Sequence, residues 1–375
     1  MQKRYSSTPI TDHFYSKASY SKIPLSGTFE LSPVCNFNCK MCYVRRTREE
    51  VQSHYRKMVT YEQWIHIAKE AREQGMLFLL LTGGEPLLWP DFWQLYEELI
   101  KMGFLISINT NGSMIDELAI EKFKKYPPKR INITLYGGSD ETYERLCGIK
   151  GVYGKVIKAI EGLQEAKIPV KLSCSLTPDN QSDLEKMINY AKEKKLILQV
   201  ATYMFPPIRK DESMIGENNR FTPKEAAYNR LKCYKLQNGK EKYIEYLNQI
   251  LNGYTLPLGL DETCVDPLDG KIRCSAGKAS FWITWDGYLT PCGLMINPQS
   301  DLYKETFSEA WESIVTQSEA LVTTGICNNC SNVEICHPCT AIALAETGEF
   351  SGVPKYLCEL TMEMKKIADQ EINTI

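Results

Sequence analysis

The chain has 375 residues, of which 43% are hydrophobic and 24% charged, with a formal net charge of −2. That length exceeds one comfortable core and implies a large domain with a smaller appendage. The near-neutral balance speaks against a nucleic-acid binder, and the longest apolar run, residues 76–81, is far too short to cross a bilayer.

The opening segment MQKRYSSTPITDHFYSK has no apolar signal region, so the expectation is a cytoplasmic protein. In a reducing compartment its fourteen cysteines read as metal ligands or thiols rather than disulfides. Residues 1–27 are polar and without period, and read as an irregular arm with no catalytic part.

From 28 to 205, apolar runs (TFELSPV, GMLFLLLTGG, FLISINTNG, RINITLYGG, PVKLSCSLT, LILQVATYMF) alternate with helical patterns such as YEQWIHIAKEAREQ and SDLEKMINYAKEKK. Thr60 and Ser182 stand as N-caps of those two helices. Near-continuous apolar strands separated by helices predict an α/β fold with a helix-covered parallel sheet, a partial (β/α)6 TIM-like barrel rather than a flat doubly wound sheet. In either architecture the chemistry collects at the carboxyl ends of the strands.

Residues 206–263 break the pattern with a loop, PPIRKDE, and a helical stretch, and read as a connector. Residues 264–360 are cysteine-dense and turn-rich, a small loop-rich domain in which metal clusters replace an apolar core. Residues 361–375 read as a terminal helix.

Directly after the first strand, Cys35, Cys39 and Cys42 fall on one tight loop, CNFNCKMC. A cubane cluster has four irons to ligate, so three cysteines leave one iron open to bind and activate something else. A zinc knuckle is the bland alternative. The CxxxCxxC loop after strand one of a β/α barrel resembles the radical SAM signature.

That resemblance implies a 4Fe-4S cluster whose open iron is chelated by S-adenosylmethionine, reductive cleavage to a 5′-deoxyadenosyl radical, and an electron donor such as flavodoxin or ferredoxin. Gly83, Gly84 and Glu85 at the end of strand two are similar to the family's GGE motif, where glycines admit backbone groups to the methionine amino group and the carboxylate favours its charge. By the same resemblance Asn109, Asn111 and Thr134 take polar contacts to ribose and methionine, and Met41 and Tyr43 meet adenine. Many relatives have an arginine at the position of Cys147. Arg145 is nearby but shifted, and becomes the candidate partner of the methionine carboxylate.

Eight further cysteines, Cys264, Cys274, Cys292, Cys327, Cys330, Cys336, Cys339 and Cys358, make two sets of four. Zinc accepts the same thiolate sets, and this segment alone does not choose between zinc and iron-sulfur. The pattern resembles the SPASM extension of radical SAM enzymes, except that two residues, His337 and Pro338, precede Cys339 where the family usually has three. The resemblance implies two auxiliary 4Fe-4S clusters, one on Cys264, Cys274, Cys292 and Cys339, the other on Cys327, Cys330, Cys336 and Cys358, with His337 an outside alternative to Cys339.

Cys147, Cys174 and Cys233 remain. Most such thiols are inert core residues, but Cys174 lies on strand five, where an inward-facing thiol could donate a hydrogen atom to a substrate radical, as in peptide epimerases of the superfamily. Sulfatase-maturing relatives carry an aspartate base directly after the position of Cys292; here it is Gly293, which counts against that activity. The expectation is an oxidoreductase that cross-links or dehydrogenates a ribosomally made peptide. Small-molecule or tetrapyrrole chemistry, sulfatase maturation and a zinc-binding scaffold are the alternatives.

Overall fold

Six parallel strands follow one another across the first half of the chain, each paired to the next: β1 Ser26–Glu30, β2 Phe78–Thr82, β3 Leu105–Thr110, β4 Arg130–Thr134, β5 Val170–Ser175 and β6 Leu198–Ala201. The computed structural model describes residues 10–253 and 271–374. Helices join the strands, giving the expected partial barrel, followed by a C-terminal extra domain. No helix among the described residues is long and apolar enough to cross a membrane.

The strands alternate more than continuous apolar runs would. Ile106, Ile108, Ile131, Ile133, Leu172 and Cys174 are buried against the helices. Asn109, Asn132, Thr134, Ser173 and Ser175 line a cavity on the other face. A strand with an apolar layer on one side and a polar cavity on the other needs period two.

The helix Tyr61–Glu73 begins at Thr60 in a reciprocal capping box with Gln63, as its sequence requires. Ser182 does not cap: a short 3-10 turn, Gln181–Asp183, precedes the helix Leu184–Glu193, and Asp183 instead accepts from the Gly138 N–H at 2.7 Å. The arm expected to be irregular carries a helix, Ile10–Ser21. Its Tyr15 ring stacks on Phe78 at 5.8 Å and Ala18 is buried beside Leu25, so tertiary contacts hold a segment whose own period is weak.

The connector supplies two helices, Pro223–Asn238 and Lys240–Leu251, broken at Gly239. They pack with the last helix, Lys355–Ile372, which starts before residue 361 and so carries Cys358 in its first turn. The C-terminal part is not a separate layer. Its strand β7, Ser280–Ile283, pairs in parallel with β1, and the antiparallel β8, Tyr288–Thr290, and β9, Ser300–Asp301, extend the same nine-stranded sheet. Strands of the C-terminal part therefore continue the barrel sheet beyond β1.

Candidate functional site

The loop after β1 is tied at several points. The N–H groups of Asn38 and Lys40 donate to the carbonyls of Cys147 and Leu146 at 2.8 and 3.1 Å, pinning the loop to the end of the helix Asp140–Cys147. Arg46 N–H donates to Pro33 at 3.0 Å and closes it. Backbone N–H groups of Phe37 and Arg45 point at the sulfurs of Cys35 and Cys42, both at 3.3 Å, a donor arrangement that favours thiolate ligands. Burial pushes the Cys35 thiol up to about 12, so without a bound cation it stays protonated. Hydrogen bonds from the Cys147 and Tyr136 side chains hold the Cys39 thiol below its ordinary value.

Gly83 and Gly84 make the next turn possible. A Cβ on Gly83 would lie 2.3 Å from the Ser32 carbonyl oxygen, and one on Gly84 2.4 Å from that of Val34. Their freedom therefore serves first to lay the β2 turn on the base of the cysteine loop, where Gly84 N–H donates to Ser32 at 2.7 Å and Glu85 N–H to Val34 at 3.0 Å.

These residues open onto one cavity of about 660 Å³. Cys35, Cys39 and Cys42 line it, as do Met41, Tyr43, Gly83, Gly84, Asn109, Asn111 and Thr134. Three expected site residues lie elsewhere. Glu85 is fully buried behind the wall, where it accepts from Thr110 Oγ1 at 2.8 Å, Asn111 N–H at 2.8 Å and Leu87 N–H at 3.2 Å, and burial pushes its carboxyl up to about 7. It anchors β3 to the glycine turn and does not line the cavity. Arg145 is committed to the Asp179 carbonyl at 2.7 Å and Thr142 Oγ1 at 3.2 Å and does not line the cavity. Cys174 points to the helix side, 3.9 Å from the Met187 sulfur, because the cavity face of β5 belongs to Ser173 and Ser175. Neither Arg145 nor Cys174 lines the cavity.

The opposite wall comes from the C-terminal part: Cys274, Cys292, Gly293, Phe281 and Trp282 all line the same cavity. A Cβ on Gly293 would stand 2.7 Å from the Trp282 ring, so an aspartate at that position would have to displace the ring. Cys339, at the N-cap of the helix Thr340–Thr347, lies close enough to Cys274 and Cys292 for their charges to bear on it. Cys327, Cys330, Cys336 and Cys358 form a second neighbourhood in the same sense. Cys264 lies outside the described residues. The thirteen described cysteines are all free, and no group of three or more His, Cys, Asp or Glu among the described residues is drawn together tightly enough to hold a metal ion. His337 takes a left-handed conformation, φ +47°, directly after Cys336.

Sequence reasoning missed Arg45, Asn132, Ser173, Ser175, Tyr203 and Trp282 as cavity residues. For Asn132 and the two serines the signal was the period-two step from Thr134 and around Cys174; for Arg45, Tyr203 and Trp282, which come from loops and from the added strand, the sequence held none.

Residues 29–191 match the family model described as the radical SAM superfamily. The chain carries a radical SAM domain. Beyond that domain, it shares its fold with Streptococcus suis SuiB bound to the precursor peptide SuiA (TM-score 0.66, 16% identity, 96% of this chain and 83% of that one). It likewise resembles anSMEcpe with bound AdoMet and a peptide (TM-score 0.68, 19% identity, 94% and 98%).

In sequence, the chain is 23% identical to the AdoMet-dependent heme synthase of Methanosarcina barkeri over 86% of this chain and 93% of that protein. It is 22% identical to the sporulation killing factor maturation protein SkfB of Bacillus subtilis, over 77% of this chain and 65% of that one. To the probable GTP 3′,8-cyclase of Thermoplasma volcanium it is 33% identical, but spans about half that protein's length, 55%.

Proposed function

We propose that this chain cleaves S-adenosylmethionine reductively and uses the resulting radical to oxidise a peptide, forming a cross-link such as a thioether or carbon-carbon bond. One observation carries the reading: cysteines from the two ends of the chain, Cys35, Cys39 and Cys42 on one wall and Cys274 and Cys292 on the other, line a single cavity.

Cys35, Cys39 and Cys42 would hold a 4Fe-4S cluster with one open iron. Their fit rests on three thiols in one cavity wall with N–H donors aimed at two of them. Cys274, Cys292 and Cys339, with Cys264, would hold a second cluster across the cavity, and Cys327, Cys330, Cys336 and Cys358 a third. When bound, the first cluster and S-adenosylmethionine supply one-electron cleavage and a 5′-deoxyadenosyl radical that takes hydrogen from substrate. The protein's own part is positional. Asn109 and Asn111, fixed by Asn132 and Asn36 at 2.7 and 2.9 Å, offer oriented polar groups, while Tyr136, Phe205, Phe281 and Trp282 wall the space against water.

SkfB, named as a maturation protein, and SuiB, seen with its precursor peptide, support the peptide class. The near full-length match to a heme synthase keeps a tetrapyrrole substrate as the second reading. Anaerobic incubation with S-adenosylmethionine, dithionite and a short peptide encoded beside the gene decides between them. Peptide oxidation predicts 5′-deoxyadenosine together with loss of two hydrogens per modification. Production of 5′-deoxyadenosine by a Cys35, Cys39, Cys42 triple-alanine variant would refute the whole reading, and a colourless protein containing zinc would replace it with a scaffold.

A further inference from the structure

The helix Asp140–Cys147 stops at Gly148, whose left-handed φ of +65° turns the chain away. The last carbonyls of a helix find no partner inside it. Here those of Cys147 and Leu146 accept from the N–H groups of Asn38 and Lys40 at 2.8 and 3.1 Å, the two residues that flank Cys39. Cys39 is thereby held against the helix end, where Cys147 is the last residue and fully buried.

The three sulfurs of the loop do not receive the same donors. Cys35 and Cys42 take the backbone N–H groups of Phe37 and Arg45 at 3.3 Å, and Cys35 also the Asn111 amide at 3.7 Å. Cys39 takes, besides its own backbone N–H, the thiol of Cys147 and the hydroxyl of Tyr136. Tyr136 is fixed in turn: its carbonyl accepts from Asn180 Nδ2 at 2.9 Å, and its ring packs on Phe37 at 5.9 Å. A thiol sealed among apolar side chains, as Cys147 is, keeps its proton and serves as a weak donor.

We propose that Cys147 is a positioning residue for the first cluster: its S–H, with the Tyr136 hydroxyl beside it, donates to the Cys39 sulfur and sets the potential at which that cluster takes an electron from its external reductant. This rests on the radical SAM reading above. Reduction adds negative charge that spreads onto the ligand sulfurs. A hydrogen bond to a sulfur favours the more negative form, so each donor raises the reduction potential. The backbone donors come with the shape of the loop, whereas Cys147 and Tyr136 are choices of side chain, and through them this sequence adjusts the cluster without touching a ligand.

The test is an anaerobic potentiometric titration of the full-length, cluster-loaded protein, read by electron paramagnetic resonance without turnover. The signal that changes on adding S-adenosylmethionine marks the first cluster, and the other signals are the internal control. Cys147→Ala and Cys147→Val, which bracket the thiol in size and carry no donor, are expected to lower the midpoint of that signal alone. The reduced-to-oxidised ratio at a fixed poise falls by up to about tenfold, which is about 59 mV for one electron. Tyr136→Phe moves it the same way. Cys147→Ser, which returns an O–H to the same place, brings the midpoint back to wild type or above. Iron and sulfide per chain show which variants hold the cluster. An unchanged midpoint in the alanine or valine variant that holds it overturns the inference. So does a serine variant as low as these, or a fall shared by every signal, since lost packing would then explain the shift. A wild-type protein with no signal that S-adenosylmethionine perturbs defeats instead the radical SAM reading, and the inference with it.

Discussion

Glu30 and Arg209 form a bidentate ion pair, 3.0 Å at each oxygen, at the seam between the barrel, the connector and the C-terminal part. Glu30 ends β1 and is fully buried; Arg209 comes from the loop after β6. The Trp282 indole N–H donates to the same carboxylate at 2.9 Å, and Arg209 also donates to the Gly293 carbonyl at 2.8 Å, next to Cys292. The pair therefore sets the position of the Cys292 wall relative to the start of the cysteine loop. Its location, rather than its energy, is what makes it consequential.

Removing one partner strands the other charge without water. Arg209→Ala is expected to cost about 3–5 kcal/mol, as breaking a buried pair usually does, whereas Arg209→Lys keeps the charge, loses the fork, and costs less. Thermal unfolding of the anaerobic protein measures this, and equal melting temperatures for wild type and Arg209→Ala would show that the seam holds without the pair.

Glu85 gives a pH dependence with a definite sign. Burial lifts its carboxyl from an ordinary 4.5 to about 7, against the hydrogen bonds from Asn111, Thr110 and Leu87 that favour the anion. Between those values the folded chain keeps a proton that the unfolded chain has lost, so this group's contribution falls as pH rises from about 4.5 to about 7 and is level above that. The full span is worth about 3 kcal/mol. Comparing wild type with Glu85→Gln by denaturant unfolding across that range should show the slope flattened in the variant. Parallel curves would mean the carboxylate is better solvated than its burial implies.

The alternation of apolar runs with helical patterns was enough to read the barrel, because a parallel sheet under helices must bury one face of every strand. What the runs hid was the other face. Asn132, Ser173 and Ser175 looked incidental among isoleucines and leucines until the period-two step placed them in the cavity. The glycine motif was legible as a turn, yet its reason lies in backbone atoms of Ser32 and Val34 that no local pattern announces. The strand β7 was missed as a barrel neighbour because SFWI is short and its partner, β1, lies some two hundred and fifty residues earlier, as in the pair Ser26 and Ser280. Arg145 was placed by a shifted motif position and Cys174 by its strand, and neither lines the cavity for the same cause: the side of an element that faces the cavity is fixed by packing, not by sequence distance.

The two cysteine neighbourhoods predict how metal is lost. If Cys292 and Cys339 serve one cluster and Cys336 and Cys358 another, pairing two alanine substitutions within a set should remove no more iron than either alone. One substitution from each set should remove the sum. Iron and sulfide per chain, counted after anaerobic reconstitution, decide it, and additive losses for Cys292 with Cys339 would break up that set. The same count bears on Cys339 itself, since retention of the cluster in Cys339→Ala but not in His337→Ala would move the ligand to the histidine.

Cys174 offers the opposite kind of prediction, that a suggestive residue matters little to chemistry. Its thiol is buried, packed on Met187 and separated from the cavity by the plane of β5, so no substrate radical in the cavity reaches it. Burial also raises its pKa, which leaves a neutral thiol acting as a small hydrophobe. Cys174→Ala should lower stability by about 1 kcal/mol, a cost in the range of a modest core truncation, while the yield of 5′-deoxyadenosine and the ratio of product to 5′-deoxyadenosine stay at wild-type levels. Deuterium from solvent should enter product equally in both proteins. A variant that cleaves S-adenosylmethionine normally but loses only that solvent deuterium would show the thiol reaching the radical after all, and would require β5 to turn its other face to the cavity during turnover.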